Sequence, residues 1–365
     1  MVERIMSWFR GRGGERPFEA FQVEVTSRCN LRCVMCPVTV LADRWPTLDL
    51  PWEIFQRIAA VFGKVKWVYL QGWGEPLLHP RLFDMIALAK SAGCRVGFTN
   101  NGTRLTQKAG ERLLDLGLDL LAVSIAGATP GTHEAIRVGS DFRRLIENLR
   151  RFLALRARRK SDTPKVELLF LMTGTNVEEL PQAVELASTL GVDELVATNL
   201  DYVITPQLDA VKAFGCASTA PVCREAVEKA RTLARQAGLA FRPYPLEPGE
   251  LAVCELNPLK ILFISADGWV SPCVYTGVTG QSEITRFFEG ERHRVSPVRF
   301  GNVKERDLME IWVSPAYRAF RRQFGERLHG ATRLALSAMA GGGAMADDEA
   351  PAPKPCRTCS KLYGL

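Results

Sequence analysis

The segment Val25-Thr26-Ser27-Arg28-Cys29-Asn30-Leu31-Arg32-Cys33-Val34-Met35-Cys36-Pro37 places three cysteines within eight residues, directly after an apolar, β-rich run at Phe21–Val25. Parallel α/β folds put their chemistry at the C-terminal ends of strands, so thiols in this position read as a site. A disulfide would leave one of the three over. The N-terminal stretch Met1–Pro17 is Arg-rich and lacks the apolar core and cleavage site of a secretory signal. The expected location is therefore cytoplasmic, where clustered cysteines bind metal rather than pair.

Outward from this segment, short apolar runs alternate with helical stretches. Strands are expected at Phe21–Val25, Trp67–Gln71, Arg95–Thr99, Leu120–Ile125, Lys165–Met172 and Glu194–Thr198. Helices are expected at Pro51–Val61, Arg81–Ala92, Gln107–Leu116, Phe142–Leu155, Val177–Leu190 and Ala217–Ala237. Strand–helix units in series predict a parallel sheet, here a partial (β/α)6 barrel. The pattern fades after Ala197, and the Pro-rich stretch Arg242–Gly249 reads as a linker. Beyond it, Lys260–Ser265, Asp267-Gly268 and Trp269–Val274 form an expected hairpin, and Asp307–Phe324 an expected helix. These boundaries divide the chain into an extension (1–19), a core (20–241) and a smaller α+β domain (242–365). The last contains an Ala/Gly/Pro-rich stretch, 337–355, expected to be a mobile loop.

The 365 residues are 47% hydrophobic and 24% charged, an ordinary balance for a soluble enzyme. No run approaches the roughly 18–20 apolar residues of a membrane span. The net charge of +7 includes a dense basic run from Arg143 to Lys160 on an expected helix. That run reads as a solvated helix face, with neither nucleic acid nor membrane expected as a partner.

Zinc would want four ligands, and His79, His133, His293 and His329 all lie far from the cysteine triplet in sequence. Three closely spaced thiolates suit a [4Fe–4S] cubane with one iron left open. Three further segments end expected strands with ligand-approaching chemistry. They are Gln71-Gly72-Trp73-Gly74-Glu75-Pro76, Thr99-Asn100-Asn101-Gly102 and Val123-Ser124-Ile125-Ala126-Gly127. Arg137 follows, a guanidinium able to grip a carboxylate or equally to lie at the surface. A second cysteine set lies downstream: Cys254, Cys273 and the pair Cys356-Arg-Thr-Cys359. Spacing alone leaves a closed [4Fe–4S] cluster and a structural zinc site both open for it.

Cys29-x3-Cys33-x2-Cys36 after a first strand resembles the signature of the radical SAM superfamily. The resemblance implies a cluster whose open iron binds S-adenosylmethionine, which one electron cleaves to a 5′-deoxyadenosyl radical. It implies that Met35 packs near adenine, that Gly72, Gly74 and Glu75 correspond to the family's Gly-Gly-Glu-Pro motif beside the methionine amino group, and that Asn100 belongs to its Thr-Asn-Gly strand end. Ser124 would contact ribose or carboxylate, while Ala126 stands where relatives often carry aspartate. The C-terminal pattern resembles the SPASM and Twitch auxiliary-cluster extensions. The chain stops six residues after Cys359, so the shorter, one-cluster Twitch type is expected. That favours iron–sulfur over zinc for Cys254, Cys273, Cys356 and Cys359. Cys94, Cys216 and Cys223 are expected to pack as small hydrophobes.

The resulting expectation is a radical enzyme that removes hydrogen from a substrate and passes the resulting electron to an auxiliary cluster. A small-molecule or cofactor-biosynthesis oxidoreductase is preferred. A peptide- or protein-modifying maturase is the alternative, and an iron–sulfur electron carrier the alternative of another class. An external one-electron donor such as flavodoxin or ferredoxin is implied.

Overall fold

The computed structural model describes residues 16–215, 220–339 and 350–365. Most of the expected extension 1–19, together with Cys216, lies outside the described residues. Strands β1 (Phe18–Val23), β2 (Val65–Tyr69), β3 (Arg95–Asn100), β4 (Leu120–Ile125), β5 (Lys165–Met172) and β6 (Glu194–Asn199) pair in that order, all parallel. Helices α1 (Trp52–Ala59), α2 (Leu82–Ser91), α3 (Gln107–Asp115), α4 (Pro130–Ile136), α5 (Phe142–Arg158) and α6 (Leu180–Leu190) lie in the crossovers, and α7 (Pro206–Val211) and α8 (Ala220–Ala237) follow β6. The sheet does not close, so the architecture is an open, partial (β/α)6 barrel.

Local pattern explains these elements. In β5, Val166, Leu168, Phe170 and Met172 are buried while the intervening side chains are half-buried, the period-two signature of a strand packed on one face. In α5, Phe142, Leu145, Ile146, Leu149, Phe152 and Leu153 recur at helical spacing and are buried. The Asp141 carboxylate caps the helix by accepting the Arg144 N–H at 3.0 Å. Arg143, Arg144, Arg150, Arg151 and Arg158 point outward into solvent, as expected of the basic run.

Three features depart from the sequence reading. Arg242 and Pro243, assigned to a linker, belong to strand β7 (Ala240–Pro243), which pairs parallel to β6 at the sheet edge. Proline is tolerated there because an edge strand can do without its N–H. A hairpin of β10 (Ile284–Phe288) and β11 (Glu291–Val295) turns at Glu289 and Gly290, both with positive φ. The first of these carries no Asn or Asp to signal such a turn. The expected helix 307–324 is two helices, α9 (Leu308–Trp312) and α10 (Pro315–Met339), with Pro315 opening the second. Between β7 and β10 run β8 (Ile261–Ile264) and β9 (Trp269–Ser271), the expected hairpin. Of the stretch 337–355, residues 337–339 finish α10, and Ala352 is buried. Residues 340–349 lie outside the described ones.

The small C-terminal unit does not stand apart from the barrel. β8 pairs parallel to β1, Ala20–Val23 against Ile261–Ile264. With β12 (Gly301–Asn302) beyond β9, one sheet of ten strands runs β12-β9-β8-β1-β2-β3-β4-β5-β6-β7. Two cysteines outside the clusters, Cys94 and Cys223, are buried in the core, as expected.

His79 and His133 are satisfied structural groups. His79 accepts the Arg81 N–H and meets the Leu50 carbonyl oxygen. His133 is fully buried. Its Nδ1 accepts the Ala126 N–H at 3.3 Å and its Nε2 lies 3.0 Å from Ser140 Oγ. Burial, then the Arg137 charge, pushes its pKa from 6.5 down to about 3. An unfolded His133 takes up a proton below pH 6.5 and the folded one does not, so its contribution is present above that pH and lost as pH falls. The loss amounts to about 1.4 kcal/mol per pH unit at most. Thermal melts between pH 7 and 5, a window that spans the free histidine value of 6.5, should show a flatter decline for His133→Gln than for the wild type.

Candidate active site

The loops after β1 to β4 converge on one cavity of about 350 Å³. Cys29, Cys33 and Cys36 form one wall together with Met35. Gly72, Gly74 and Glu75 form a second, and Asn100, Ser124 and Arg137 complete the ring. Every residue singled out for the first cluster and its cosubstrate therefore faces the same space.

The cysteine loop is anchored at its base. Arg28 grips Asp49 with two hydrogen bonds of 3.0 and 2.7 Å and donates to the Leu78 carbonyl oxygen at 2.9 Å. Trp45 Nε1 donates to the Ser27 carbonyl oxygen at 2.9 Å. Arg137, which sequence left divided between surface and site, pairs through its backbone with Cys33 in a two-residue antiparallel bridge. Its guanidinium reaches to 4.0 Å from Cys33 Sγ, and its Nε is buried without a partner among the described residues.

Glu75 is 2% exposed, with Oε1 accepting the Leu77 N–H at 3.0 Å and Oε2 the Asn101 N–H at 2.7 Å. It thus ties the second strand-end loop to the third. Burial raises its pKa to about 7, against the opposing effect of those two N–H groups and Arg137. Asn100 lines the cavity, but its side chain is committed to the Ala122 carbonyl oxygen and the Gly102 N–H. Asn101, which sequence reasoning passed over, places its amide 3.9 Å from Cys29 Sγ. Glu24 was also missed. It is fully buried, accepts the Trp73 N–H at 2.9 Å and the Ala266 N–H at 3.0 Å, and takes a hydrogen bond from Thr279. A lone glutamate inside a strand gives no pattern from which to infer this.

The glycines are required by close approach. A Cβ on Gly74 would lie 2.2 Å from the Thr26 carbonyl oxygen, and one on Gly72 would lie 2.4 Å from the Glu24 side chain. Trp73, in place of a glycine, points its ring into a cluster with Tyr202 (centroids 4.8 Å apart) and Tyr275 (6.0 Å). Its Nε1 is buried without a partner among the described residues.

Burial, then the neighbouring Cys33, pushes the Cys36 thiol up to about 12. The downstream set behaves alike: burial followed by Cys273 and Cys359 raises Cys254 to about 12, and Cys356 and Cys273 also rise. Cys254, Cys273, Cys356 and Cys359 influence one another's ionisation, as neighbouring thiols do. Thiols crowded in this way deprotonate only when a metal centre supplies compensating charge. Among the described residues no group of three His, Cys, Asp or Glu side chains is arranged to hold a single metal ion. A zinc ion gathers its sulfurs at about 2.3 Å; a cubane spreads them over four irons. The donor sets and the orphaned Nε atoms of Arg137 and Trp73's indole N–H fit iron–sulfur clusters and a bound polar cosubstrate.

The two sets meet. Val274 and Tyr275, directly after Cys273, line the first cavity. A larger cavity of about 410 Å³ borders it across Tyr202 and is lined in part by Arg44, Gln281 and Arg292. It contains no cysteine, so the chemistry belongs to the smaller space. No helix among the described residues is long and apolar enough to cross a membrane.

Thiols at the first strand end of an open parallel sheet, with a four-cysteine site behind, mark an iron–sulfur enzyme of the partial-barrel class. Residues 23–187 match the family model of the radical SAM superfamily, and residues 254–360 match that of an iron-sulfur cluster-binding domain, SPASM. The chain is 30% identical over 305 residues to the tungsten-containing aldehyde ferredoxin oxidoreductase cofactor-modifying protein of Pyrococcus furiosus, covering 82% of each. It is 26% identical over 310 residues to the AdoMet-dependent heme synthase of Methanosarcina barkeri, covering 79% of this chain and 80% of that one. Among solved structures, Streptococcus suis SuiB bound to S-adenosylmethionine superposes with a TM-score of 0.62 at 17% identity, covering 84% of this chain and 68% of that one. The chain belongs to the radical SAM superfamily and carries a C-terminal SPASM/Twitch-type domain. It is an enzyme that uses S-adenosylmethionine, a [4Fe–4S] cluster and an auxiliary iron–sulfur site.

Gly74→Ala should cost about 1–3 kcal/mol or more, because its Cβ meets backbone that cannot yield. Melting and iron content after anaerobic reconstitution should both fall. Gly131→Ala, in α4 with nothing within 4 Å of the new methyl, should leave both intact or raise the melting temperature.

Proposed function

We propose that Cys29, Cys33 and Cys36 hold the cluster that binds S-adenosylmethionine, and that Cys254, Cys273, Cys356 and Cys359 hold one auxiliary [4Fe–4S] cluster. The enzyme then acts as an oxidoreductase on a small molecule or a cofactor precursor. The first cluster, when bound, supplies the electron that converts S-adenosylmethionine into methionine and a hydrogen-abstracting 5′-deoxyadenosyl group. The chain's own residues position and shield that event. Arg137, with its orphaned Nε, suits a carboxylate. Gly72 and Gly74 let backbone approach the cosubstrate, Met35 packs against adenine, and Ser124 presents a hydroxyl from the end of β4.

One observation carries the oxidative reading. The segment Cys273-Val274-Tyr275 joins a proposed ligand of the auxiliary site to a wall of the first cavity. An electron left on the substrate after hydrogen removal has an acceptor next door. Similarity over 82% and 79% of the chain to a cofactor-modifying protein and a heme synthase supports a cofactor-type substrate. Flavodoxin or ferredoxin would supply the initiating electron.

Anaerobic reconstitution should give about eight irons per chain, and about four would remove the auxiliary cluster. The reduced protein should form 5′-deoxyadenosine from S-adenosylmethionine, and Cys33→Ala should abolish this. Deuterium carried from labelled heme precursors or other small-molecule cofactor precursors into 5′-deoxyadenosine would identify the hydrogen donor. Label arriving only from peptides would overturn the substrate class.

A further inference from the structure

Arg286 lies on β10, is 3% exposed, and hydrogen-bonds the backbone on either side of the four-cysteine set. Its Nη1 donates to the Pro355 carbonyl oxygen at 2.8 Å, and its Nη2 to the Tyr275 carbonyl oxygen at 2.6 Å. Pro355 precedes Cys356, and Tyr275 follows Cys273 by two residues. One side chain therefore bridges both cysteine-bearing segments. Its Nε is buried with no partner, and no carboxylate lies within ion-pairing distance, among the described residues.

A buried cation without a counter-charge is costly. The neighbouring cation does not share the problem: Lys361 is neutralised by Asp201 at 2.6 Å and Glu255 at 2.8 Å. The ionisable groups that face Arg286 are Cys359, Tyr202, Cys273 and Cys356. A cluster held by the four cysteines would supply that missing anion. Four thiolates outweigh the charge of an oxidised cubane, and reduction adds one more negative charge.

We propose that Arg286 raises the reduction potential of the auxiliary cluster by supplying the buried positive charge against which that cluster takes up its electron. Net charge and hydrogen bonding around a cluster are what set its potential. The proposal rests on the auxiliary-site reading above and adds to it a direction of electron flow: the auxiliary site is poised to accept.

The test uses the full chain with Cys29→Ala, Cys33→Ala and Cys36→Ala, which leaves the auxiliary cluster as the one signal. This background should hold about four irons, and an iron-free protein would remove the auxiliary reading itself. The midpoint is then read by EPR during dithionite titration with mediators. Arg286→Gln keeps an amide donor but no charge, and should shift the reduction equilibrium at least about tenfold toward the oxidised form, about 59 mV for one electron. Arg286→Lys should stay within about threefold of the parent. Gln and parent titrating together, with iron retained, would overturn the proposal. If the Gln variant does not retain iron, the Lys variant decides: a midpoint near the parent supports a charge effect, and a shift of about tenfold overturns it.

Discussion

Glu24 is the point from which the two halves of this molecule are held in register. A fully buried carboxylate at the end of β1, it accepts N–H groups from Trp73 and Ala266 and a hydroxyl from Thr279. The first belongs to the loop that carries Gly74 and Glu75; the other two belong to the C-terminal unit. Burial raises its pKa, and the three donors oppose that rise. Removing the side chain would leave those donors unsatisfied in the interior, which costs more than the hydrogen bonds contribute. The close approach of Gly72 to this side chain follows from the same arrangement.

Around this anchor the cavity is built from ties between adjacent strand ends rather than from any one loop. Glu75 joins the second end to the third, Asn100 joins the third to the fourth, and the Cys33–Arg137 bridge brings the residues after the fourth back to the first. Side chains that look like ligand contacts therefore have a structural occupation as well. Asn100 is the clear case, since its amide is consumed by backbone partners. Arg137 is the opposite case: its backbone is fixed and its buried Nε is left over.

The strands of the barrel were legible in the sequence because apolar runs of β-rich composition obey local rules, and the close spacing of Cys29, Cys33 and Cys36 picked out three thiols that the fold brings to one cavity. β7 was not legible, because its Pro243 ends a half-exposed edge strand that looks like the start of a linker. The β10–β11 hairpin was missed because Glu289-Gly290 lacks the usual turn signal. Glu24 and Arg286 were invisible for a deeper reason. Their importance comes from partners more than two hundred and about seventy residues away, and no local pattern encodes such a pairing.

The seam between β1 and β8 has a bearing on how such a chain could be cut or assembled. β1 is flanked on both sides only because Ile261–Ile264 returns to cover it. A fragment ending after β7 would present Phe18–Val23 as a bare edge, with a row of unpaired amides and carbonyls flanked by buried Phe18, Phe21 and Val23. Edges of that kind template strand addition between molecules. The part of the chain that handles the auxiliary iron thus doubles as a guard against self-association, and the barrel is not a module that can be lifted out alone.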